Sequence, residues 1–148
     1  MKNDFMALAL AEAEAAAERK EVPVGAVIVS AAGEVLALAG NQVMANHDPT
    51  GHAEMLAIRQ AAQRLGSERL LNCDLYVTLE PCPMCAQAIS FARIRRLYYG
   101  ASDPKGGGVD NGPAIFSQPS CHHAPEVYGG ICETQAASLL KGFFKSRR

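Results

Sequence analysis

Residues 4–20 interleave Phe, Met, Leu and Ala with Glu and Lys, an amphipathic pattern that predicts a first helix. A β-branched run from Val22 to Ser30 follows, then Ala31-Ala32-Gly33 and a second apolar run from Val35 to Ala39, which together predict a hairpin with glycine in its turn. From His52 to Leu65 the chain places Met55, Ile58, Ala62 and Leu65 at helical spacing, and Gly66 ends the pattern. Asp74–Leu79 reads as a strand, Cys82–Ala92 as a helix and Arg95–Tyr99 as another strand. Residues 101–121 hold Pro104, three consecutive glycines from Gly106, Gly112, Pro113 and Pro119, a loop long enough to suggest function. Glu126–Ile131 predicts a last strand and Cys132–Lys145 a last helix. Strands alternating with helices imply an α/β sandwich, its sheet held between helical layers. With no repeat, low-complexity tract or dividing linker, residues 1–148 are expected to form one domain.

Composition supports this picture and narrows the setting. A chain of 148 residues with 49% hydrophobic and 20% charged side chains is globular in character, and at this size folding buries about 68–70% of the unfolded surface without disulfides. No apolar run approaches the ~20 residues of a membrane span. Phe5–Ala11 is cut short by Glu12, Glu14 and Glu18, so a signal peptide is not expected. Five cysteines, an odd number, point to reduced thiols or a metal site in the cytoplasm. The net charge of -1 hides an asymmetry: residues 1–80 carry 6 basic and 11 acidic side chains, residues 81–148 carry 8 and 4. That is either scatter over a solvated surface or a basic face for phosphates, supplied by Arg93, Arg95, Arg96, Lys141, Lys145, Arg147 and Arg148.

The chemistry concentrates in His52-Ala53-Glu54 and Pro81-Cys82-Pro83-Met84-Cys85. Cysteines three apart in the first turn of a helix face the same way, and a helix N-terminus favours their thiolates. Two thiolates and an imidazole suit Zn²⁺. His52 and Glu54, two residues apart, can address one ion only from the end of their helix, where Asp48-Pro49-Thr50-Gly51 supplies the start signal. Two helix N-termini are therefore expected to converge on one metal. His52, Cys82 and Cys85 are three ligands, which leaves a fourth position for water, as in catalytic zinc sites. The alternatives are a closed structural site completed by Cys73, Cys121, His122 or His123, in which Glu54 has no task, and a redox Cys-x-x-Cys, which gives His52 and Glu54 none. With the fourth position open, zinc lowers the pKa of its water toward about 7, and Glu54 suits a proton shuttle.

The His-x-Glu and Pro-Cys-x-x-Cys pair, in this order on two helix starts, is the zinc-deaminase signature. The likeness runs further. Val22-Pro23-Val24-Gly25-Ala26-Val27-Ile28-Val29, Gly40-Asn41, Asp48-Pro49-Thr50, Tyr76-Val77-Thr78-Leu79-Glu80-Pro81-Cys82, Arg93-Ile94, Asp103-Pro104-Lys105 and Leu139-Leu140-Lys141-Gly142-Phe143-Phe144 resemble the bacterial tRNA adenosine deaminase family across essentially the whole chain. The resemblance implies a cytidine-deaminase-like α/β/α sandwich with a mixed five-stranded sheet, a homodimer, one Zn²⁺ per chain, and conversion of adenosine to inosine at the wobble position of a tRNA anticodon loop. It implies Glu54 as the catalytic residue, and contacts to the target base from Asn41 and from the backbone at Ala53 and Pro81. Asp103, His122 and Phe144 are further substrate-side candidates; Asp103 before Pro104 also suits a turn, and the adjacent Phe143 and Phe144 also suit a core. The chain departs from the family's pattern at His122-His123, Gln87 and Gly107-Gly108. Two rival readings remain open at this point: the same chemistry on a free base or nucleoside, and a non-catalytic zinc-stabilised RNA-binding module.

Overall fold

The computed structural model describes residues 2–146, with side chains from Asp4 onward; Arg147 and Arg148, proposed above as phosphate contacts, lie outside the described residues. Helix α1 (Lys2–Glu18) leads into the hairpin β1 (Gly25–Val29) and β2 (Val35–Gly40), followed by α2 (Ala53–Leu65), β3 (Asp74–Leu79), α3 (Pro83–Ala92), β4 (Arg96–Ala101), a 3-10 turn at Ile115–Ser117, β5 (Glu126–Tyr128) and α4 (Glu133–Ser146). The sheet order is β2-β1-β3-β4-β5. β1 runs antiparallel to β2 and β3, while β3, β4 and β5 are parallel, so the sheet is mixed and five-stranded as expected.

Period-two alternation sorts the strands onto two faces. Ala26, Ile28, Leu75, Val77, Leu97 and Tyr99 turn toward α2 and α3, joining Ala53, Ala57, Ala61, Ala86 and Ile89 in one core. Val27, Val29, Tyr76 and Tyr98 turn the other way, toward Met6, Ala9 and Leu10 of α1 and Ala136 of α4, in a second core. The result is the expected α/β/α sandwich. Its helices sit close: a Cβ at Gly25 would stand 1.9 Å from the Ala9 carbonyl oxygen, so only glycine lets α1 lie down on β1 there.

Several boundaries differ from the sequence pattern. β1 begins three residues later than the β-branched run, because Val22 and Pro23 approach the sheet before joining it; Pro has no N–H for a ladder. β4 extends to Ala101, where it still pairs with Leu79. β5 stops at Tyr128, since Gly130 and Ile131 donate to β4 carbonyls outside a regular ladder. The larger difference lies in α2. Its buried stripe is Ala53, Glu54, Ala57 and Ala61, while Leu65 is exposed and Met55, Ile58 and Ala62 are half-buried. Small residues face the sheet because they admit a close approach; the bulky ones flank it. Gly66, as expected, ends the helix in the left-handed region at φ 65°. Arg93 closes α3 in the same conformation at φ 62°, without a glycine to announce it.

Candidate active site

The site lies at the C-terminal end of β3, where two helix N-termini meet. His52 is the N-cap of α2 and Cys82 the N-cap of α3. Both have extended backbones, and neither side chain caps its own helix. Each is turned instead toward the other. The turn ahead of His52 is set by Asp48, whose carboxylate accepts from the Thr50 N–H at 2.9 Å and hydroxyl at 2.7 Å. Pro83 occupies the start of α3, where a missing N–H costs nothing; Cys82 thereby stands just outside the helix and Cys85 in its first turn.

His52 Nδ1 is 3.6 Å from Cys82 Sγ and 3.5 Å from Cys85 Sγ. A tetrahedral zinc, at about 2.0–2.1 Å from nitrogen and about 2.3 Å from sulfur, requires N···S separations of about 3.6 Å. The three donors therefore already stand where zinc would hold them. Among the described residues this trio is the cluster with metal-ligand spacing. The proposed closing ligands are engaged elsewhere. Cys73 precedes β3 at the far end of the strand, with its thiol toward the Leu71 carbonyl. Cys121 donates to the His123 carbonyl, and the His123 ring donates to the Ile94 carbonyl at 2.7 Å. The hydrogen bond between the two thiols drives them in opposite directions. The hydrogen bond from Cys85 holds the Cys82 thiol down at about 4, against burial and with help from His52. The same bond to Cys82, then burial, then Glu54 push Cys85 far up. The bond to Cys82 also raises His52. A cation between them releases that arrangement, because it takes the thiolates directly.

Glu54 lies in the first turn of α2, 3% exposed. Burial pushes its carboxyl up to about 7, with His52 opposing. It is outside the ligand trio yet lines the same cavity as His52 and Cys82.

That cavity, of about 440 Å³, runs from the metal ligands to the surface between Val22, Val24 and Asn41 on one side and Leu79, Asp103 and Gly106 on the other. Phe143 and Phe144 form its rim, edge to face with ring centroids 5.3 Å apart. Neither belongs to the two cores, which corrects their reading as core residues: Phe143 is half-buried, Phe144 is 51% exposed, and both turn to the cavity. Asn41 is buried, and its Oδ1 accepts the Ala53 N–H at 2.7 Å, supplying the cap that His52 does not. Its Nδ2 is the polar group left for a molecule in the cavity. The Ala53 N–H is thus occupied by Asn41, and the Pro81 carbonyl accepts from the Gly108 N–H at 2.8 Å. His122 stands exposed on the stretch before β5 and is not brought to the cavity.

Two buried carboxylates at the cavity escaped the sequence analysis. Glu21 accepts from the Met44 and Ala45 N–H groups at 3.2 and 2.9 Å, fixing the turn after Asn41. Glu80, directly before Pro81, accepts a whole loop's amides; burial works to raise its carboxyl, but the bonds from Asp103, Asn111 and Asp110 outweigh it and hold it below the ordinary range. The signal available for both was an acid at a strand or helix end facing a turn-rich segment with unpaired N–H groups.

Residues 1–101 match the model of the cytidine and deoxycytidylate deaminase zinc-binding region. The chain belongs to that deaminase family. A tRNA-specific adenosine deaminase of Agrobacterium fabrum is 58% identical over 99% of this chain and 96% of its own length. A solved structure from work on A-to-I editing by tRNA:A34 deaminases at the wobble position superimposes with a TM-score of 0.91 at 60% identity, over 93% of this chain and 99% of that one. A guanine deaminase of Bacillus subtilis aligns less well, with a TM-score of 0.67 at 34% identity over 84% of this chain and 82% of its own. The deaminase is thus a zinc enzyme of the expected fold, and the reading as a non-catalytic zinc module falls away.

Proposed function

We propose that this deaminase, acting as a single domain, converts adenosine to inosine at the wobble position of a tRNA anticodon loop. The observation that carries the reading is the cavity itself: it joins His52, Cys82 and Glu54 to an aromatic pair, the half-buried Phe143 and the exposed Phe144. A free base needs a closed pocket; a nucleotide splayed out of a loop needs a pocket whose mouth stacks its neighbours. The share of identity to the tRNA-specific relative, compared with the guanine deaminase, supports the same choice.

His52, Cys82 and Cys85 would hold the zinc, which supplies a Lewis acid that makes water nucleophilic near neutral pH. Glu54 accepts a proton as the water oxygen bonds to C6 of adenine and delivers it to ring N1. It then carries the remaining hydroxyl proton to the exocyclic amine, so that the C6–N6 bond breaks and ammonia leaves. Its burial keeps bulk water from that traffic. Asn41 Nδ2 orients the base, and Phe144 with Asp103 receives the flanking nucleotides.

The working form is a homodimer in the cytoplasm. Leu65, Leu71 and Phe91, exposed on the α2–α3 layer and its connection, supply apolar surface for a second copy; five free cysteines suit a reducing compartment, and no helix among the described residues is long and apolar enough to cross a membrane. The test is incubation with an anticodon stem-loop carrying a wobble adenosine, beside guanine, cytosine, cytidine and adenosine. Inosine in the RNA alone is expected. Turnover of a free base or nucleoside with no change in the RNA overturns the assignment.

A further inference from the structure

Glu80 ends β3 with a carboxylate 2% exposed and no cationic partner among its hydrogen bonds. Oε2 accepts the N–H groups of Val109, Asp110 and Asn111 at 3.1, 2.9 and 3.1 Å. Oε1 accepts the Asp103 N–H at 3.0 Å and Asn111 Nδ2 at 2.6 Å, with the Ser102 hydroxyl at 3.4 Å. One side chain thus gathers four backbone amides from both ends of residues 103–111. Glycine makes the closure possible: a Cβ on Gly107 would lie 2.5 Å from Glu80 Oε2, and one on Gly108 would lie 2.5 Å from the Pro83 nitrogen. Gly108 also donates to the Pro81 carbonyl at 2.8 Å. The loop carries Asp103 and Gly106 into the cavity wall, while its glycines rest on the turn that presents Cys82.

We propose that Glu80 is a positioning residue for substrate: it fixes the 102–111 loop as a rigid wall of the cavity and locks that wall to the Cys82 turn. The inference deepens the proposed function, and its substrate-side half rests on that reading. Of residues 102–111 only Val109 joins an apolar core, so the loop's conformation depends largely on hydrogen bonds, and Glu80 accepts more of them than any other side chain. Glutamine cannot serve, although it has the same shape. Whichever way its amide turns, an NH₂ group faces N–H donors: on the Oε1 side the Asp103 N–H and the Asn111 side-chain amide lose their acceptor, on the Oε2 side the three N–H groups of Val109, Asp110 and Asn111 do. Aspartate, one methylene shorter, cannot reach both ends of the loop.

The test compares wild type, Glu80→Gln and Glu80→Asp by residue-resolved hydrogen exchange, zinc content and steady-state kinetics on the wobble-adenosine stem-loop. Exchange at Asp103, Val109, Asp110 and Asn111 is expected to quicken about 10-fold or more in Glu80→Asp, and in Glu80→Gln at whichever end of the loop faces the NH₂ group, Asp103 or Val109 to Asn111, with β1 and α2 amides unchanged. Zinc content stays at the wild-type level, and KM rises roughly 10- to 100-fold while kcat falls less. Unchanged exchange at the four amides overturns the tether. Faster exchange with unchanged KM overturns the positioning role, and so does a loss confined to kcat with zinc lost in parallel. If Glu80→Gln fails to fold, Asn111→Ala removes one donor only and is expected to shift KM in the same direction; no shift overturns the proposal. Wild-type enzyme inactive on the stem-loop refutes the proposed substrate, and the exchange comparison still decides the tether.

Discussion

Glu54 and Cys82 line one cavity, yet their removal should separate cleanly. Glu54 is buried beside the trio without being a ligand. Glu54→Ala is expected to retain zinc and melting temperature while losing about 10²–10⁴-fold in turnover, the usual worth of a proton-transfer group. Cys82→Ala should lose zinc and stability together, since metal binding is linked to folding; metal analysis with thermal melts distinguishes the two. Asn41 permits a finer dissection because its two amide atoms have different work. Oδ1 caps the Ala53 N–H, and Nδ2 is the donor left over on a residue that lines the cavity. Asn41→Ala should cost about 0.5–2 kcal/mol through the lost cap and raise KM. Asn41→Asp retains an acceptor for Ala53 but loses the cavity donor, so it should recover stability without recovering KM. Recovery of both would show that Nδ2 has no part in binding.

Helix α2 shows what periodicity conveys and what it leaves out. The spacing of Met55, Ile58, Ala62 and Leu65 announces a helix, and Gly66 its end, correctly; it does not single out the most deeply buried residues, because Ile58 and Ala62 only flank the core and Leu65 leaves it. In the structure Ala57 and Ala61 are fully buried and Leu65 is 47% exposed. A helix that lies close on a sheet selects small side chains at the contact, which a hydrophobicity pattern ranks below leucine. Ala57→Leu is therefore expected to destabilise by about 1–3 kcal/mol through overpacking. Leu65→Ala should stay within about 0.5 kcal/mol in a monomeric preparation. Urea titrations of the two check the inversion. The ligand trio was legible for the opposite reason. His52, Cys82 and Cys85 are bound by chemistry to a few geometries, so their spacing and the nearby breakers located two helix starts. Glu21 and Glu80 leave only a general signal, an acid beside a turn-rich segment, because the N–H groups that such a carboxylate collects are fixed only when the loop it serves is folded around it. Arg93 at φ 62° is a case of the same kind: its N–H closes the helix on the Ile89 and Ser90 carbonyls in the left-handed conformation, with no residue preference to signal it.

At the scale of the whole molecule, the basic second half divides into two groups. Arg93, Arg95 and Arg96 precede or open β4, whose first residue pairs with Asp74, whereas the site lies beyond Leu79 at the other end of β3. A six-residue strand spans roughly 20 Å. Arg95 is moreover bound to Asp74 through Nε and Nη2 at 3.0 and 2.9 Å, and Arg96 Nε lies 3.7 Å from the Glu126 carboxylate. These arginines are not beside the pocket of their own chain, which corrects the expectation of one basic face around it. Lys20 lines the cavity, Lys105 precedes Gly106 of its wall, and Lys141 and Lys145 bracket Phe143 and Phe144 on α4. If these lysines meet the phosphates of an anticodon loop, affinity should fall with salt at a log–log slope of about -0.7 per contact. Replacing Lys105, Lys141 and Lys145 together by Ala should flatten that slope by about 2 and leave the melting temperature nearly unchanged, because exposed charges contribute little to stability. Arg95→Ala should do the reverse, lowering stability through the orphaned Asp74 while leaving the slope alone. Fluorescence-anisotropy titrations of a labelled stem-loop between 50 and 200 mM salt separate the two patterns. An unaltered slope in the lysine variant, with a flattened one in Arg95→Ala, would move the RNA to the far end of β4 and away from the cavity rim.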